Sequence, residues 1–588
     1  MDIRLIPGAA ATADERSSVD RAIGGAPSGR RDLLLPALQS LQGRAGWISP
    51  GGMNYVCERL EVPPADAFGV ASFYAMLSVK PRPSCTVHVC DDIACRAAGS
   101  EDLCATLDRR LGPEGKGAWH RSPCLGQCER APAALVQAAG EPFREWTLAP
   151  AKPDAVVLAL SRGAPAGPDP SPLIPETRGL RLLRRVNRVD PDSLEAYRAS
   201  GGFAALARAL ELGSEGVIRE VIESRLVGRG GAAFPTGRKW EAVAHAPARP
   251  HYFVLNADES EPGTFKDRVL MEGDPFAVIE AMTIAGIATG SERGFVYVRG
   301  EYPLAAARLS NAVEQARAQG FLGGNVLGSG LRFDVELRRG AGAYICGEET
   351  ALFNSIEGFR GEPRQKPPYP VEAGLFGKPT AINNVETLVN VLEIVLGGGR
   401  AFASIGGGSS TGTKLFCVSG AVAKPGLYEL PFGKTLRELL DLAGASDSVR
   451  AVLLGGAAGT FVTPGEFGVP LTFEGTRAIG ASLGSGVVMA FDARTDWPGL
   501  LLRIAAFFRD ESCGQCVPCR VGTVRQEEAL RRLASGRPLG TRNAEHELLD
   551  EIGQVMRDGS ICGLGQTASS AVASALKKLG LLGGGSPS

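Results

Sequence analysis

Three cysteines at two-residue spacing, in "ESCGQCVPCRVGT" (511–523), constrain this chain more than any other feature. The run brings Cys513, Cys516 and Cys519 into one short loop and leaves a fourth ligand to come from elsewhere. Cys562 in "DGSICGLGQ" is the candidate, because the glycines behind it let the backbone pass close to a sulfur. Three thiols on a short loop with one distant partner suit a [4Fe-4S] cube, whose fourth iron corner such a loop does not reach. The competing assignment is a four-cysteine zinc site, which ordinarily pairs two C-x2-C knuckles around one ion. A second group of four comprises Cys90 and Cys95 in "CDDIAC" with Cys124 and Cys128 in "CLGQC". Each pair fits one iron of a [2Fe-2S] rhomb, and zinc stays open here as a stronger rival. Cys57, Cys85, Cys104, Cys346 and Cys417 read as small hydrophobes.

Thirteen cysteines in 588 residues are too few for a disulfide scaffold, and their clustering favours metal or redox chemistry in a reducing, cytoplasmic compartment. With 63 basic and 64 acidic residues and a net charge of -1, no nucleic acid or anionic membrane surface is expected as partner. The N-terminus has no apolar signal region, and no window offers the ~18 apolar residues that direct membrane insertion needs.

The fold expected is multidomain α/β. Residues 1–29 read as a flexible arm, 30–80 as short helices, 81–163 as a small α/β unit, and the Pro/Gly-rich 164–180 as a linker. Strands and helices alternate over 181–405, which predicts a layered domain. A small mixed domain follows over 412–490, and a helical segment carrying the cysteine run over 491–582. No internal repeat is evident.

Three segments of the layered domain suggest a nucleotide site. "GRGGAAFPTGRKW" (228–240) contains G-x-G-x-x-A, but the residues before it are helix-patterned, so the strand of a dinucleotide fingerprint is missing. A plain glycine turn and an amide-lined, cationic phosphate loop both remain open. The strand "YFVL" ends in the acidic "NADESEPGTFKD" (256–267), where α/β sheets place ligands; calcium is the rival there. In "GAGAYICGEETALFNSIEG", Glu348 and Glu349 either complement a helix dipole or meet ribose hydroxyls, the latter favouring NAD over NADP.

These segments, with "KPPYP", "NNVETL", "ESCGQCVPCR" and "SICGLGQ" in that order, closely resemble the NADH-binding flavoprotein subunit of respiratory complex I and its relatives in NAD-linked formate dehydrogenases and hydrogenases. Residues 30–163 resemble the [2Fe-2S] subunit that neighbours it in complex I; here the two are fused. The resemblance implies a thioredoxin-like [2Fe-2S] domain, an FMN domain, a β-grasp insert and a helical [4Fe-4S] domain, and it favours iron over zinc at both cysteine groups. It implies FMN held by Gly228, Arg229, Gly230, Gly231, Lys239, Asn256, Asp258, Glu259, Glu261, Tyr344, Gly347, Glu348, Asn383 and Asn384. It further implies that Phe234, Glu349, Lys366 and Tyr369 face NAD(H).

The activity implied is a diaphorase, in which the flavin converts a two-electron hydride into single electrons for the clusters. No catalytic side chain is expected beyond a tuning role for Glu259. The fused arrangement points to a separate molybdenum or tungsten formate dehydrogenase subunit as partner. The alternatives are a diaphorase subunit of an NAD-reducing hydrogenase, a complex I module, or a non-catalytic zinc-stapled scaffold. Two departures stand out: Ala233 occupies a usual glycine position, and Tyr369 replaces a more usual Phe.

Overall fold

The computed structural model describes residues 6–163, 171–176 and 178–583. Part of the expected linker, 164–170 and 177, lies outside them.

The N-terminal arm is a correction. Ala13–Ile23 is a helix whose Thr12 and Glu15 form a reciprocal capping box, with Val19 and Ile23 buried against the Leu34–Ala45 helix. Two orphan backbone donors are thereby satisfied and the short apolar stripe finds a partner, so this segment is ordered. Helices Pro50–Leu60 and Pro64–Ala71 complete this part.

The next unit is a sheet in the order β2-β1-β3-β4, built from β1 (Cys85–Cys90), β2 (Trp119–Ser122), β3 (Ala134–Ala138) and β4 (Arg144–Leu148). β1 pairs parallel with β2 and antiparallel with β3. Helices Ser100–Leu111 and Pro153–Arg162 pack on β1, covering Val87, Val89 and Trp119.

The central domain carries a four-stranded parallel sheet: β5 (Tyr252–Ala257), β6 (Arg293–Val298), β7 (Asp334–Arg339) and β8 (Thr380–Asn384), in the order β7-β6-β5-β8. Its Pro275–Ala288 helix is apolar on every side and buried throughout, as expected of a helix held between a sheet and other helices. The segment before the glycine loop is the Ala204–Glu223 helix, so the dinucleotide-fingerprint context is absent.

A two-residue hairpin, β9 (Gly406–Gly407) and β10 (Ser410–Thr411), leads into a second sheet. It comprises β11 (Thr413–Gly420), β12 (Gly426–Pro431), β13 (Val449–Leu454), β14 (Thr460–Val462) and β15 (Val487–Asp492), in the order β12-β11-β15-β13-β14. The Leu436–Leu442 helix covers one face, giving the mixed β-grasp arrangement. Helices Trp497–Glu511, Val517–Ala534, Arg542–Gly559 and Ser570–Leu579 close the molecule. Among the described residues no helix is long and apolar enough to cross a membrane.

Candidate functional site

In the central sheet the chain order reverses between β5 and β8, and a crevice outside the carboxyl ends of such strands is where open α/β sheets bind ligands. Asn256 leaves β5 and donates to Gly347 O at 2.9 Å, tying the strand end to the Tyr344–Gly347 turn. Asn383 and Asn384 end β8; Asn383 accepts from the Trp240 indole at 2.8 Å, and Asn384 caps the following helix and donates to Asp267 at 2.6 Å. The glycine loop bends over this edge, with Gly228 N bonded to Phe234 O at 2.9 Å. A Cβ on Gly230 would stand 3.1 Å from the Asn384 side chain, and Gly231 has φ +123°. Ala233 adopts φ +51°, a left-handed conformation that glycine takes without strain. Lys239 reaches back to Ile382 O at 3.1 Å.

One acceptor in the crevice lacks a donor. Asp258 Oδ2 is shielded from solvent with no hydrogen-bond partner, and burial pushes this carboxyl well above the usual range. A Cβ on Gly347 would meet Asp258 within 3.7 Å, so the glycine keeps the space beside it open. A buried acceptor in an open cradle fits a bound group carrying N–H and O–H donors, as a flavin's ring and ribityl chain do.

The other acids have partners within the protein. Glu259 receives the Asp267 and Arg268 amides at 2.9 Å each and the Tyr302 hydroxyl at 3.1 Å, so it caps the Lys266–Gly273 helix. Burial and the neighbouring Asp267 push it up to about 8. Glu348 caps the Glu349–Ile356 helix and takes a 2.9 Å ion pair from Lys366. Glu261 accepts from Ala458 N at 2.8 Å and from the Tyr344 hydroxyl at 2.5 Å. The Arg229 guanidinium runs into the β-grasp junction, donating to Thr411 O at 2.5 Å.

Beside the crevice, Glu349 pairs with Lys366 at 2.8 Å and Lys239 at 3.6 Å. Phe234 and Tyr369 are 52% and 55% exposed, unusual for large aromatic rings and suited to stacking on a planar ligand. The short helix after Tyr369 packs on the Thr236–Ala244 helix that follows Phe234.

The structure brings the cysteines of each group into one neighbourhood. Cys90 ends β1, Cys95 lies on the Ile93–Ala97 helix, and Cys124 and Cys128 flank the loop after β2. Cys124 Sγ lies 3.4 Å from Cys128 Sγ. Packed against Cys128 and Cys90 with Arg299 nearby, Cys124 is held well below the usual thiol range while Cys90 and Cys128 are pushed above it, so the charge of the packed thiols falls on Cys124. Asp92 joins the two segments, accepting from Ile93 N at 2.9 Å and Cys124 N at 3.2 Å. In the C-terminal group Cys513 lies between two helices, Cys516 caps the second, Cys519 is in its first turn, and Cys562 precedes the Gly563–Thr567 helix. A Cβ on Gly565 would stand 2.3 Å from Ser560 Oγ and 2.9 Å from Cys519 Cβ, so a side chain there would not fit where this helix passes the cysteine segment. Among the described residues no three metal-ligating side chains converge on a single ion position. Neither cluster asks for that, since a rhomb takes two thiolates per iron and a cube one.

The crevice and the clusters are joined by contacts that no sequence motif encodes. Tyr344 N donates to Glu511 at 2.8 Å, two residues before Cys513, and its ring packs edge-on against Phe507 at 5.0 Å. Arg299 bridges Glu259 O at 2.6 Å and Cys124 O at 2.5 Å, and Arg268 reaches Gly126 O at 2.8 Å. Arg503 of the Trp497–Glu511 helix faces Asp91 at 3.3 Å.

Family models match in the order this geometry requires: the thioredoxin-like [2Fe-2S] ferredoxin over 19–149, the Nuo51 FMN-binding domain over 221–393, the SLBB domain over 415–445, and the NADH-ubiquinone oxidoreductase-F iron-sulfur binding region over 499–580. An NADH-quinone oxidoreductase subunit of Rhizobium meliloti is 45% identical over 401 residues, covering 67% of this chain and 94% of that protein. The chain belongs to this NADH-binding flavoprotein family. The alpha subunit of the NAD-reducing hydrogenase HoxS of Cupriavidus necator is 34% identical over 562 residues, 93% of this chain and 91% of that one, so the fused layout is shared. The crystal structure of an NAD+-reducing [NiFe]-hydrogenase in the air-oxidized state superimposes with a TM-score of 0.80 at 31% identity, covering 97% of this chain and 94% of that one. The family's cofactors are FMN, a [2Fe-2S] and a [4Fe-4S] cluster, and the chain is an NAD-dependent oxidoreductase subunit.

Proposed function

We propose that this chain is the diaphorase subunit of a larger cytoplasmic assembly, taking electrons as hydride at the β5/β8 crevice and passing them singly toward the cysteine groups. The observation that carries this reading is Tyr344, which lines the crevice with its hydroxyl on Glu261 while its amide holds Glu511 beside Cys513. Bound FMN would supply the conversion between two-electron and one-electron chemistry. The protein's part is placement: the glycine loop, Asn256, Asp258 and Asn384 would seat the flavin nucleotide, with Phe234 and Tyr369 against the nicotinamide dinucleotide. Glu349, paired with Lys366, would accept from ribose hydroxyls and disfavour a 2′-phosphate. Glu259 and Glu348 would act at one remove, through the helices they cap.

For the partner, similarity across the full length to NAD-reducing hydrogenase subunits favours a hydrogen-activating catalytic subunit. A molybdenum or tungsten formate dehydrogenase subunit, expected from the fused layout, is the second reading and rests on that layout alone. Isolation of the native complex separates them, because one partner brings nickel and the other a pterin metal. For the chain itself, release of FMN on denaturation together with about six irons supports the proposal. Zinc in place of iron, or no flavin, would sink it.

A further inference from the structure

The crevice loop is held from a direction that its own sequence does not announce. Arg229, at the centre of the glycine loop, is completely buried, and its side chain enters the junction with the β-grasp unit. Nη2 donates to Thr411 O at 2.5 Å, and the guanidinium lies 4.7 Å from the Phe432 ring centroid. Its backbone is gripped as well: the amide donates to Thr387 Oγ1 at 2.7 Å, and the carbonyl accepts from Lys414 Nζ at 3.5 Å. Thr411, Lys414 and Phe432 all belong to the hairpin and β-grasp segment rather than to the flavin domain.

The charges behind the loop are unevenly shared. Lys414, on β11, pairs with Glu386 at 3.4 Å, and Glu386 also meets Lys266 at 3.2 Å. Lys266 further contacts Asp267 at 2.8 Å and Asn384 Oδ1 at 3.3 Å. Three buried cations, Arg229, Lys266 and Lys414, thus share three buried carboxylates, Glu386, Asp267 and, at longer range from Lys266, Glu259, but none of these pairs directly with Arg229. Arg229 Nε and Nη1 have no partner. A buried guanidinium with no carboxylate against it is costly unless an anion answers it.

We propose that the β-grasp unit is the positioning element of the flavin loop, with Thr411, Lys414 and Phe432 fixing Arg229 so that the loop amides and the cations behind them receive the phosphate of FMN. The inference rests on the crevice being the FMN site. It makes Arg229 and Lys414 positioning residues, and it makes cofactor retention depend on a neighbouring domain.

The test uses the full chain, depleted of FMN and titrated with FMN and with riboflavin, which lacks the phosphate. Lys414→Met is expected to weaken FMN binding by about tenfold or more, with riboflavin binding and iron content unchanged. Phe432→Ala is expected to act in the same direction, and Lys414→Arg to restore binding. Amides of 228–234 should exchange faster in FMN-free Lys414→Met than in the FMN-free parent. If Lys414→Met and Phe432→Ala bind FMN like the parent and leave loop exchange unaltered while Asn384→Ala loses the cofactor, the positioning role is wrong and the site stands. If Asn384→Ala also binds normally, the site reading falls with it.

Discussion

The two cysteine groups each supply four thiols but live in different surroundings. All four N-terminal cysteines are 5% exposed or less, and the loop bearing Cys124 and Cys128 is pressed onto the flavin domain by Arg268, Arg299 and Tyr302. The C-terminal four sit in a local helical frame, with Cys516 and Cys562 only half-buried. The N-terminal group takes much of its wall from the flavin domain, whereas the C-terminal group is framed mainly by its own helices, with Tyr344 and Arg360 reaching in at Glu511 and Cys513. The difference is one of enclosure: the flavin domain walls in the N-terminal group, whereas the C-terminal group leaves two of its thiols partly open to solvent.

The largest effects should follow from removing ligands. Cys124→Ser is expected to abolish the [2Fe-2S] signal and about two irons while the [4Fe-4S] signal persists, and Cys516→Ser to do the reverse; iron analysis and low-temperature EPR would show it. If either variant lost both clusters, the two groups would not be independent.

The walls come next. Arg268 is buried between Glu129 and Glu272, at 2.5 and 2.8 Å. Replacing it with Met strands two carboxylates and should cost about 3–5 kcal/mol in unfolding experiments, with the [2Fe-2S] centre lost before the [4Fe-4S]. Gly126 has φ +65°, and a Cβ there would stand 2.1 Å from the Tyr302 hydroxyl. Gly126→Ala should therefore cost about 2–4 kcal/mol, and equal loss of both clusters would contradict the contrast between enclosed and accessible centres.

These walls were the part least legible in the sequence. Ligand spacing, the strand ends and the helical character before the glycine loop could all be read locally, and so could the mixed strand and helix pattern of 412–490, whose β-grasp identity came from the resemblance. Arg299 meets Cys124 across 175 residues, a contact that no periodicity or motif encodes. Glu259 was legible as an acid near a site and Glu348 as an acid at a helix start, but their capping bonds were not, because capping depends on where the following helix begins. The Thr12/Glu15 capping box was readable yet outweighed by small, polar neighbours. Lys266 and Glu386 lay inside the recognised motifs; their role emerges only when Lys414 arrives from another domain.

The smallest expected effect concerns pH. Burial raises Glu261 to about 7 from an ordinary value of 4.5. Its folded form therefore holds a proton that the unfolded chain releases, so its contribution is full below about pH 4.5 and is lost as pH rises through about 7. The parent should lose thermal stability between about pH 5 and pH 8 more steeply than Glu261→Gln, a comparison that melting curves across that range would make. Parallel profiles would show that Glu261 plays no part in the pH response.

Anaerobic addition of NADH to the purified chain, followed by flavin absorbance and low-temperature EPR on the same samples, addresses the central claim directly. The flavin is expected to bleach and the signal of the cluster held by Cys513, Cys516, Cys519 and Cys562 to appear, in the parent and in Cys124→Ser alike. A bleached flavin with that cluster still oxidised in the parent would show that the Tyr344–Glu511 junction does not connect the crevice to the C-terminal cysteines.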